Sequence, residues 1–310
     1  MAAPATAAPA VKKSGWFWKA LAIVTMAMVF LSGVVYWRPT WIGSGIQEAR
    51  ILRHGIHSRY VRIGPYRVHY LEVGEGRPLF LVHGLGGSAE NWLDMMPELA
   101  ANGFHIYALD LLGFGYSDKP DVDYSMTFQA DLVGQFMDSQ GVRQADMAGW
   151  SMGGWVSLKF AADHPERVQR LALLDSAGLI FDPVNVPALR PKTPDQLAHM
   201  MALLSPHPHL LPKFVARDVV RRMERNDWII GRTLDSMNTG KDIMNGKLEN
   251  VKMPVLIVWG KDDRIVPLSV GEELHKEMPQ STLFTVEGCG HLAPTECGDR
   301  VVPEMEGFLR

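Results

Sequence analysis

The residues with the clearest chemical potential lie in the segment Gly149-Trp150-Ser151-Met152-Gly153-Gly154. Glycines two positions before and after the serine form the G-x-S-x-G pattern of a nucleophile elbow, a strained turn between a strand and a helix. Small neighbours let the two backbones pass closely. An apolar run at 146–150 precedes the serine, and a helical pattern at 153–164 follows it. We therefore predict that Ser151 is a nucleophile and not part of a chance turn.

A serine hydroxyl is a weak nucleophile by itself, so it needs a general base nearby. We predict that His291 is this base, because it ends the segment Gly288-Cys289-Gly290-His291 directly after the last apolar run of the chain. His207 and His209 form a His-Pro-His loop, but no third ligand follows at a spacing typical of metal sites. We therefore predict no metal.

The base in turn needs an acid that orients it. We predict Asp263, which lies in a loop that begins after Gly260 and is closed by Pro267, so that one carboxylate can turn inward. Its neighbour Asp262 is expected to face solvent or hold the loop. Asp175, at the end of an earlier apolar run, is the other alternative and is expected to cap the turn at 176–178.

An oxyanion formed at the substrate needs two backbone N–H donors. We predict that one comes from Met152, which follows the nucleophile, and the other from Leu85 in the loop at 83–87. We expect His83 to hold this loop rather than act as a second base. No Gly-Lys-Ser or Gly-Lys-Thr follows its glycines, so it is not a phosphate loop, and we predict no cofactor.

The elements that must position these residues can be read from alternating apolar runs and helical patterns. Buried strands that alternate with helices indicate a mostly parallel sheet with helices on both faces, and ligands bind at the carboxyl ends of its strands. Two short strands are predicted first, around a turn at 64–65. Further strands are predicted at 79–82, 106–109, 146–150, 171–174, 255–259 and 282–286, and helices at 92–102, 127–140 and 153–164.

Residues 179–245 interrupt this alternation with seven prolines and helical stretches near 195–204 and 213–225. We predict a helical cap inserted between two strands. Its leucine and methionine side chains suit both packing and an adaptable surface for acyl chains.

The N-terminal segment predicts a membrane anchor. Residues 1–15 form an Ala/Pro-rich basic arm that we expect to be disordered, and 16–38 have the length, the lack of acidic residues and the aromatic flanks of one transmembrane helix. A juxtamembrane segment at 39–54 then leads to the main domain at 55–310. The alternative is a cleaved signal peptide, but Tyr-Trp-Arg-Pro is a poor cleavage site. The basic arm weakly favours an N-terminus inside.

Charge and cysteine content exclude several classes of protein. The formal net charge is −3, and residues 1–38 hold four basic and no acidic residues, so the rest of the chain carries −7. A mildly acidic body argues against nucleic acid as the main partner. Two cysteines are too few for a disulfide framework.

These motifs, in this order, resemble the α/β-hydrolase superfamily over about 55–310. The matching segments are 83–87, 110–118, 149–154, 259–267 and 288–291. Within it the chain is similar to lipases and esterases with an N-terminal membrane helix, including membrane-anchored monoacylglycerol lipases. The resemblance implies an α/β-hydrolase fold with a mostly parallel eight-stranded sheet. It also implies a serine hydrolase that cleaves small-molecule, lipid-like acyl esters through an acyl-enzyme.

Two other functions fit the same motifs: carbon–carbon hydrolysis of ring-cleavage products, and ligand binding without catalysis. Epoxide hydrolases and haloalkane dehalogenases are excluded, because they carry aspartate where this chain has Ser151, and residues 179–259 contain no tyrosine.

Overall fold

The computed structural model describes residues 15–183 and 185–310. The predicted disordered arm therefore lies outside the described residues, apart from Gly15, where the first helix begins. This helix, α1 (Gly15–Trp37), confirms the prediction of one long apolar N-terminal helix. Among the described helices it alone has the length and composition of a membrane span, with a mean hydropathy of 2.0 and no buried residue in its apolar window.

The juxtamembrane segment is a second helix, α2 (Pro39–Arg53), separated from α1 by Arg38. A residue before proline avoids the helical conformation, and proline at the first helical position loses no hydrogen bond. Both effects explain why the two helices break here. Near its C-terminal end, α2 buries Ile51 in the main core.

Eight strands of the described residues form one sheet in the order β1-β2-β4-β3-β5-β6-β7-β8. The β1–β2 and β2–β4 pairs are antiparallel and the remaining pairs are parallel, as predicted. The strands are β1 (His57–Ile63), β2 (Tyr66–Val73), β3 (Arg77–Val82), β4 (Phe104–Leu109), β5 (Ala145–Trp150), β6 (Val168–Leu174), β7 (Val255–Gly260) and β8 (Ser281–Val286).

Helices cover both faces of the sheet, so successive strand residues enter different cores. Phe80 and Val82 pack on one side, whereas Leu79 and Leu81 pack on the other. The helices outside the cap are α3 (Met96–Ala101), α4 (Met126–Ser139), α5 (Met152–Asp163), α9 (Leu268–Glu277), α10 (Ala293–Glu296) and α11 (Gly298–Leu309). The single helix predicted at 92–102 is wrong: a 3₁₀ turn, Ala89–Trp92, precedes α3, which starts afresh with Pro97 in its first turn.

The segment between β6 and β7 forms the cap. It contains a 3₁₀ turn (Val186–Leu189) and the helices α6 (Pro194–Leu204), α7 (Lys213–Glu224) and α8 (Asp227–Asn238). The sequence analysis missed α8, which has a glycine in its middle. A Cβ at this Gly231 would lie 3.2 Å from the Arg190 guanidinium, so close tertiary packing overrides the weak helix propensity of glycine.

We predict that Gly153→Ala lowers the free energy of unfolding by about 2–3 kcal/mol. A Cβ there would lie 2.2 Å from the Val82 carbonyl oxygen and 2.4 Å from that of His83, and neither backbone oxygen can turn aside. Urea denaturation in detergent measures the effect. The control is Gly307→Ala at an exposed position of α11, where an added Cβ meets no described atom within 4 Å. Equal stability of the two variants would contradict the crowding argument.

Candidate active site

Ser151 lies on the sharp turn between β5 and α5. Its φ is 54° and its ψ is −119°, a left-handed backbone conformation that a residue with a side chain adopts only when its surroundings impose it. A Cβ on Gly149 would lie 2.3 Å from the Gly153 carbonyl oxygen, so the strand and the helix cross too closely for any larger residue. The turn presents a half-buried Ser151 at the carboxyl end of the sheet.

The structure brings together the three residues that the sequence singled out. His291 Nε2 lies 2.8 Å from Ser151 Oγ, and His291 Nδ1 lies 2.7 Å from Asp263 Oδ2. A carboxylate only accepts, so Nδ1 carries the proton and Nε2 is free to accept from the serine hydroxyl. Both His291 and Asp263 are buried.

The loop after β7 fixes the Asp263 carboxylate. Its Oδ1 accepts hydrogen bonds from the backbone N–H groups of Ile265 at 2.8 Å and Val266 at 3.0 Å, which leaves Oδ2 directed at His291. The neighbouring Asp262 is exposed, as expected.

Asp175 does not cap the turn at 176–178, and that expectation was wrong. Its carboxylate instead accepts hydrogen bonds from Gly260 N–H at 2.8 Å and Ala293 N–H at 3.3 Å. The reason is topological: β6 and β7 are neighbours, so the end of β6 faces the segments that carry Asp263 and His291. The three side chains place ligating atoms within 4.8 Å of one another. Within this cluster only Asp263 and His291 are joined by a described hydrogen bond, whereas Asp175 is held by backbone N–H groups.

Burial and the neighbouring Asp263 carboxylate raise the pKa of Asp175. Burial by itself would lower the pKa of His291, but the charge of Asp263 and its hydrogen bond outweigh burial, so the His291 pKa lies above its usual value. Asp263 is therefore the neighbour that contributes most to stabilising a protonated His291.

The loop at 83–87 lies beside Ser151 and carries Leu85, one of the two residues predicted to supply an oxyanion donor. Leu85 and Met152 line the same cavity as Ser151. His83 holds the loop, since its Nδ1 lies 2.7 Å from the Gly84 carbonyl oxygen and its Nε2 accepts from Leu111 N–H at 3.1 Å. Burial lowers the His83 pKa, which keeps the imidazole neutral in this structural position.

The cavity beside Ser151 has a volume of about 240 Å³ and is largely apolar. Among its described lining residues none is charged. The apolar side chains come from the body and the cap: Leu85, Met152, Trp155, Ala177, Leu179, Ile180, Phe181, Pro183, Val186, Leu189, Leu234, Met237, Ile243, Ile265 and Val266.

Three contacts that hold His291 in place escaped the sequence analysis. The Trp150 indole N–H donates to the His291 carbonyl oxygen at 2.7 Å, and the His291 N–H donates to the carbonyl oxygen of Leu204 in the cap at 2.8 Å. A buried disulfide between Cys289 and Cys297 closes the loop around the histidine. The only sequence signal for the disulfide was that both cysteines of the chain lie near His291.

With the fold and this geometry described, comparison with known proteins gives the family. The family described as alpha/beta hydrolase fold matches residues 77–198 and 187–296, and the chain belongs to it. Lipase 1 of Psychrobacter immobilis is 29% identical over an alignment of 255 residues, and the match covers 77% of this chain and 79% of that protein.

Two solved structures are similar in fold and in extent. A membrane phospholipase A, described as a bacterial virulence factor, has a TM-score of 0.83 and 26% identity, covering 94% of this chain and 97% of that one. A 2-hydroxy-6-oxo-6-phenylhexa-2,4-dienoate hydrolase from a Rhodococcus species has a TM-score of 0.72 and 25% identity, covering 82% and 99%. The chain is therefore a hydrolase whose family includes lipases and esterases.

We predict that the His291 pKa lies above 6.5 and that Asp263→Asn lowers it, because the substitution removes the charge that stabilises the imidazolium. Histidine NMR signals followed over a pH series measure both values. Asp262→Asn is the matched control, since this exposed neighbour removes one charge from the same loop. A His291 pKa unaffected by Asp263→Asn would mean that another group, with Asp175 the first to test, sets its protonation.

Proposed function

We propose that this chain is a membrane-anchored serine hydrolase that cleaves carboxylic esters of lipid-like acyl chains, with monoacylglycerols as the simplest natural form. The observation that carries the proposal is the hydrogen-bonded series Ser151–His291–Asp263 beside an apolar cavity.

In the acylation step, Ser151 Oγ attacks the ester carbonyl carbon while its proton moves to His291 Nε2. Asp263 stabilises the resulting imidazolium, and the N–H groups of Leu85 and Met152 stabilise the oxyanion. The tetrahedral intermediate collapses, the C–O bond to the alcohol breaks, and His291 returns its proton to the leaving alcohol. His291 then takes a proton from water as the water oxygen attacks the acyl carbonyl carbon. The second tetrahedral intermediate collapses, the C–O bond to Ser151 breaks, and His291 returns the proton to Ser151 Oγ, so that the carboxylic acid and the free enzyme are released.

The lining of the cavity favours an acyl chain over the substrate of a carbon–carbon hydrolase. A dienoate carries a carboxylate, and burying a carboxylate without a cation costs several kcal/mol or more. No arginine or lysine is found among the described residues that line the cavity. An uncharged acyl chain meets no such penalty there.

A second cavity of about 350 Å³ is lined by Gly86 and Gly87 of the loop at 83–87 and by residues of α7 and α8. It offers room for the alcohol portion of a lipid ester. The likeness to Lipase 1 and to a membrane phospholipase A supports lipid esters as the substrate class.

Hydrolysis rates separate the proposed function from the two alternatives. We expect p-nitrophenyl esters and monoacylglycerols to be cleaved with a preference that depends on acyl length, and a 2-hydroxy-6-oxo-hexadienoate to be cleaved poorly. Faster cleavage of the dienoate would favour the carbon–carbon hydrolase. Failure of Ser151 to react with a fluorophosphonate probe would favour a ligand-binding protein without catalysis.

We also propose that α1 remains as the anchor and that the hydrolase domain lies outside the cytoplasm. The buried Cys289–Cys297 disulfide supports an oxidising compartment for the domain, because disulfides are rare in the cytosol. Lys12 and Lys13 on the short N-terminal arm favour a cytoplasmic N-terminus. Both observations give the same orientation.

Ser151→Ala is expected to lower kcat on p-nitrophenyl butyrate by a factor on the order of 10³–10⁶, while the protein stays folded. The expected loss of activity follows because, among the described hydrogen bonds, no hydroxyl other than that of Ser151 is bonded to His291 Nε2. Ser157→Ala is the control: its buried hydroxyl lies on α5, the helix that follows Ser151, and has no hydrogen-bond partner among the described residues. Wild-type-like rates in the Ser151 variant would refute the assignment.

The full chain is expected to stay in the membrane fraction after alkaline carbonate treatment, because its α1 window buries no residue against the protein. Produced in a Gram-negative bacterium, a C-terminal alkaline phosphatase fusion should be active and a green fluorescent protein fusion dark. Protein in the carbonate supernatant would contradict the anchor. The opposite pattern of reporter activity would contradict the orientation.

A further inference from the structure

We propose that a cationic cavity between the C-terminal end of α1 and cap helix α7 binds the phosphate group of an anionic phospholipid from the surrounding leaflet. The inference rests on the proposed membrane anchor. The cavity has a volume of about 240 Å³, and its lining residues are Tyr36, Trp37, Lys192, Pro194, Phe214, Arg217, Val220, Arg221 and Glu224. It shares none of these residues with the cavity beside Ser151.

The charge of this cavity is positive. Lys192, Arg217 and Arg221 line it, against the single acid Glu224. Lys192 pairs with Asp227 at 2.5 Å and Arg221 pairs with Asp218 at 3.0 Å. Arg217 forms no ion pair with any described residue, so its guanidinium is available to a phosphate, which arginine binds in a bidentate manner.

The position of the cavity matches the level of lipid headgroups. Arg221 Nη2 donates to the Trp37 carbonyl oxygen at 2.8 Å, which satisfies one of the free carbonyls at the end of α1. Arg217 Nη2 donates to the Tyr36 hydroxyl at 3.0 Å. Since the apolar span ends at Trp37, both guanidinium groups lie where the aromatic belt of a spanning helix meets the headgroups.

The cavity is a built site, because buried groups fix its walls. Asp218 of α7 is buried, and its carboxylate accepts hydrogen bonds from the Thr40 N–H at 3.2 Å and the Thr40 hydroxyl at 2.6 Å. It therefore satisfies a free N–H group in the first turn of α2. Tyr36 stacks on Phe214 with ring centres 5.7 Å apart. These contacts join α1, α2 and α7.

One polar atom in this wall lacks a partner. Arg221 Nε is buried and has no hydrogen bond to any described residue. A buried donor without an acceptor costs about 1–3 kcal/mol. This nitrogen is enclosed by protein, so the phosphate is bound by the exposed parts of the Arg217 and Arg221 guanidinium groups and not by Nε. Aromatic walls beside the apolar span suit a lipid, and the excess of positive charge favours an anionic headgroup over a zwitterionic one.

The test measures lipid binding to the full chain in detergent by native mass spectrometry, with Ser151→Ala so that no ester is cleaved. The probes are dioleoylphosphatidylglycerol, dioleoylphosphatidylcholine and inorganic phosphate. We expect phosphatidylglycerol to bind more tightly than phosphatidylcholine. Arg217→Gln should reduce that preference about fivefold, the effect typical of one basic residue at a lipid surface. Arg217→Lys should retain most of it.

Arg225→Gln is the matched control, because it removes an equal charge at the exposed residue directly after α7 and does not line the cavity. Equal losses in the two glutamine variants would show general surface attraction and overturn the site. Equal binding of the two lipids would also overturn the proposed site. So would displacement of phosphatidylglycerol by millimolar inorganic phosphate. With Ser151 intact, Arg217→Gln should hydrolyse p-nitrophenyl butyrate at the wild-type rate. This binding experiment requires neither ester hydrolysis nor insertion into a bilayer. Its outcome can therefore be distinguished from a failure of the proposed hydrolysis or of the proposed membrane anchor, each of which has its own experiment.

Discussion

The close crossing of β5 and α5 is the constraint on which the rest of the site depends. Ser151 holds a positive φ only because two glycines let the strand and the helix pass at backbone contact. Once that crossing is made, the hydroxyl is fixed at the carboxyl end of the central strands. The neighbouring strands β6 and β7, and the loop after β8, then end at the same edge of the sheet and bring two acids and a histidine to it.

A second level of organisation joins the chemistry to the cap. The cap supplies one wall of the apolar cavity through Val186, Leu189 and α8, and also accepts the hydrogen bond from the His291 backbone. Through α7 it contacts the end of the apolar helix α1 and the start of α2. The same insertion therefore contacts the proposed base, the proposed acyl site and the N-terminal helices.

Local patterns in the sequence were sufficient for the strands and for the proposed catalytic residues. Apolar runs such as 79–82 predict buried parallel strands. Ser151, Asp263 and His291 each lie in a short glycine-containing motif that can be recognised without knowing which distant residues it contacts. Features that depend on distant partners could not be read in this way. Asp175 bonds to Gly260 and Ala293, and Asp218 caps a helix that lies 178 residues earlier at Thr40. Helix α8 was missed because packing against Arg190, and not propensity, accommodates its glycine.

The hydrogen bond from His291 to Leu204 restricts how the cap can move. Leu204 is the last residue of α6, and the histidine loop is tied at its other side to Trp150 and closed by the disulfide. Moving α6 away from the body would break this hydrogen bond and remove one support of the His291 imidazole. The position of α6 is therefore coupled to that of His291. Other cap residues that line the cavity, among them Leu179, Leu189 and Leu234, have no described hydrogen bond to that loop. A change in the position of those residues would leave the hydrogen bond between His291 and Leu204 intact.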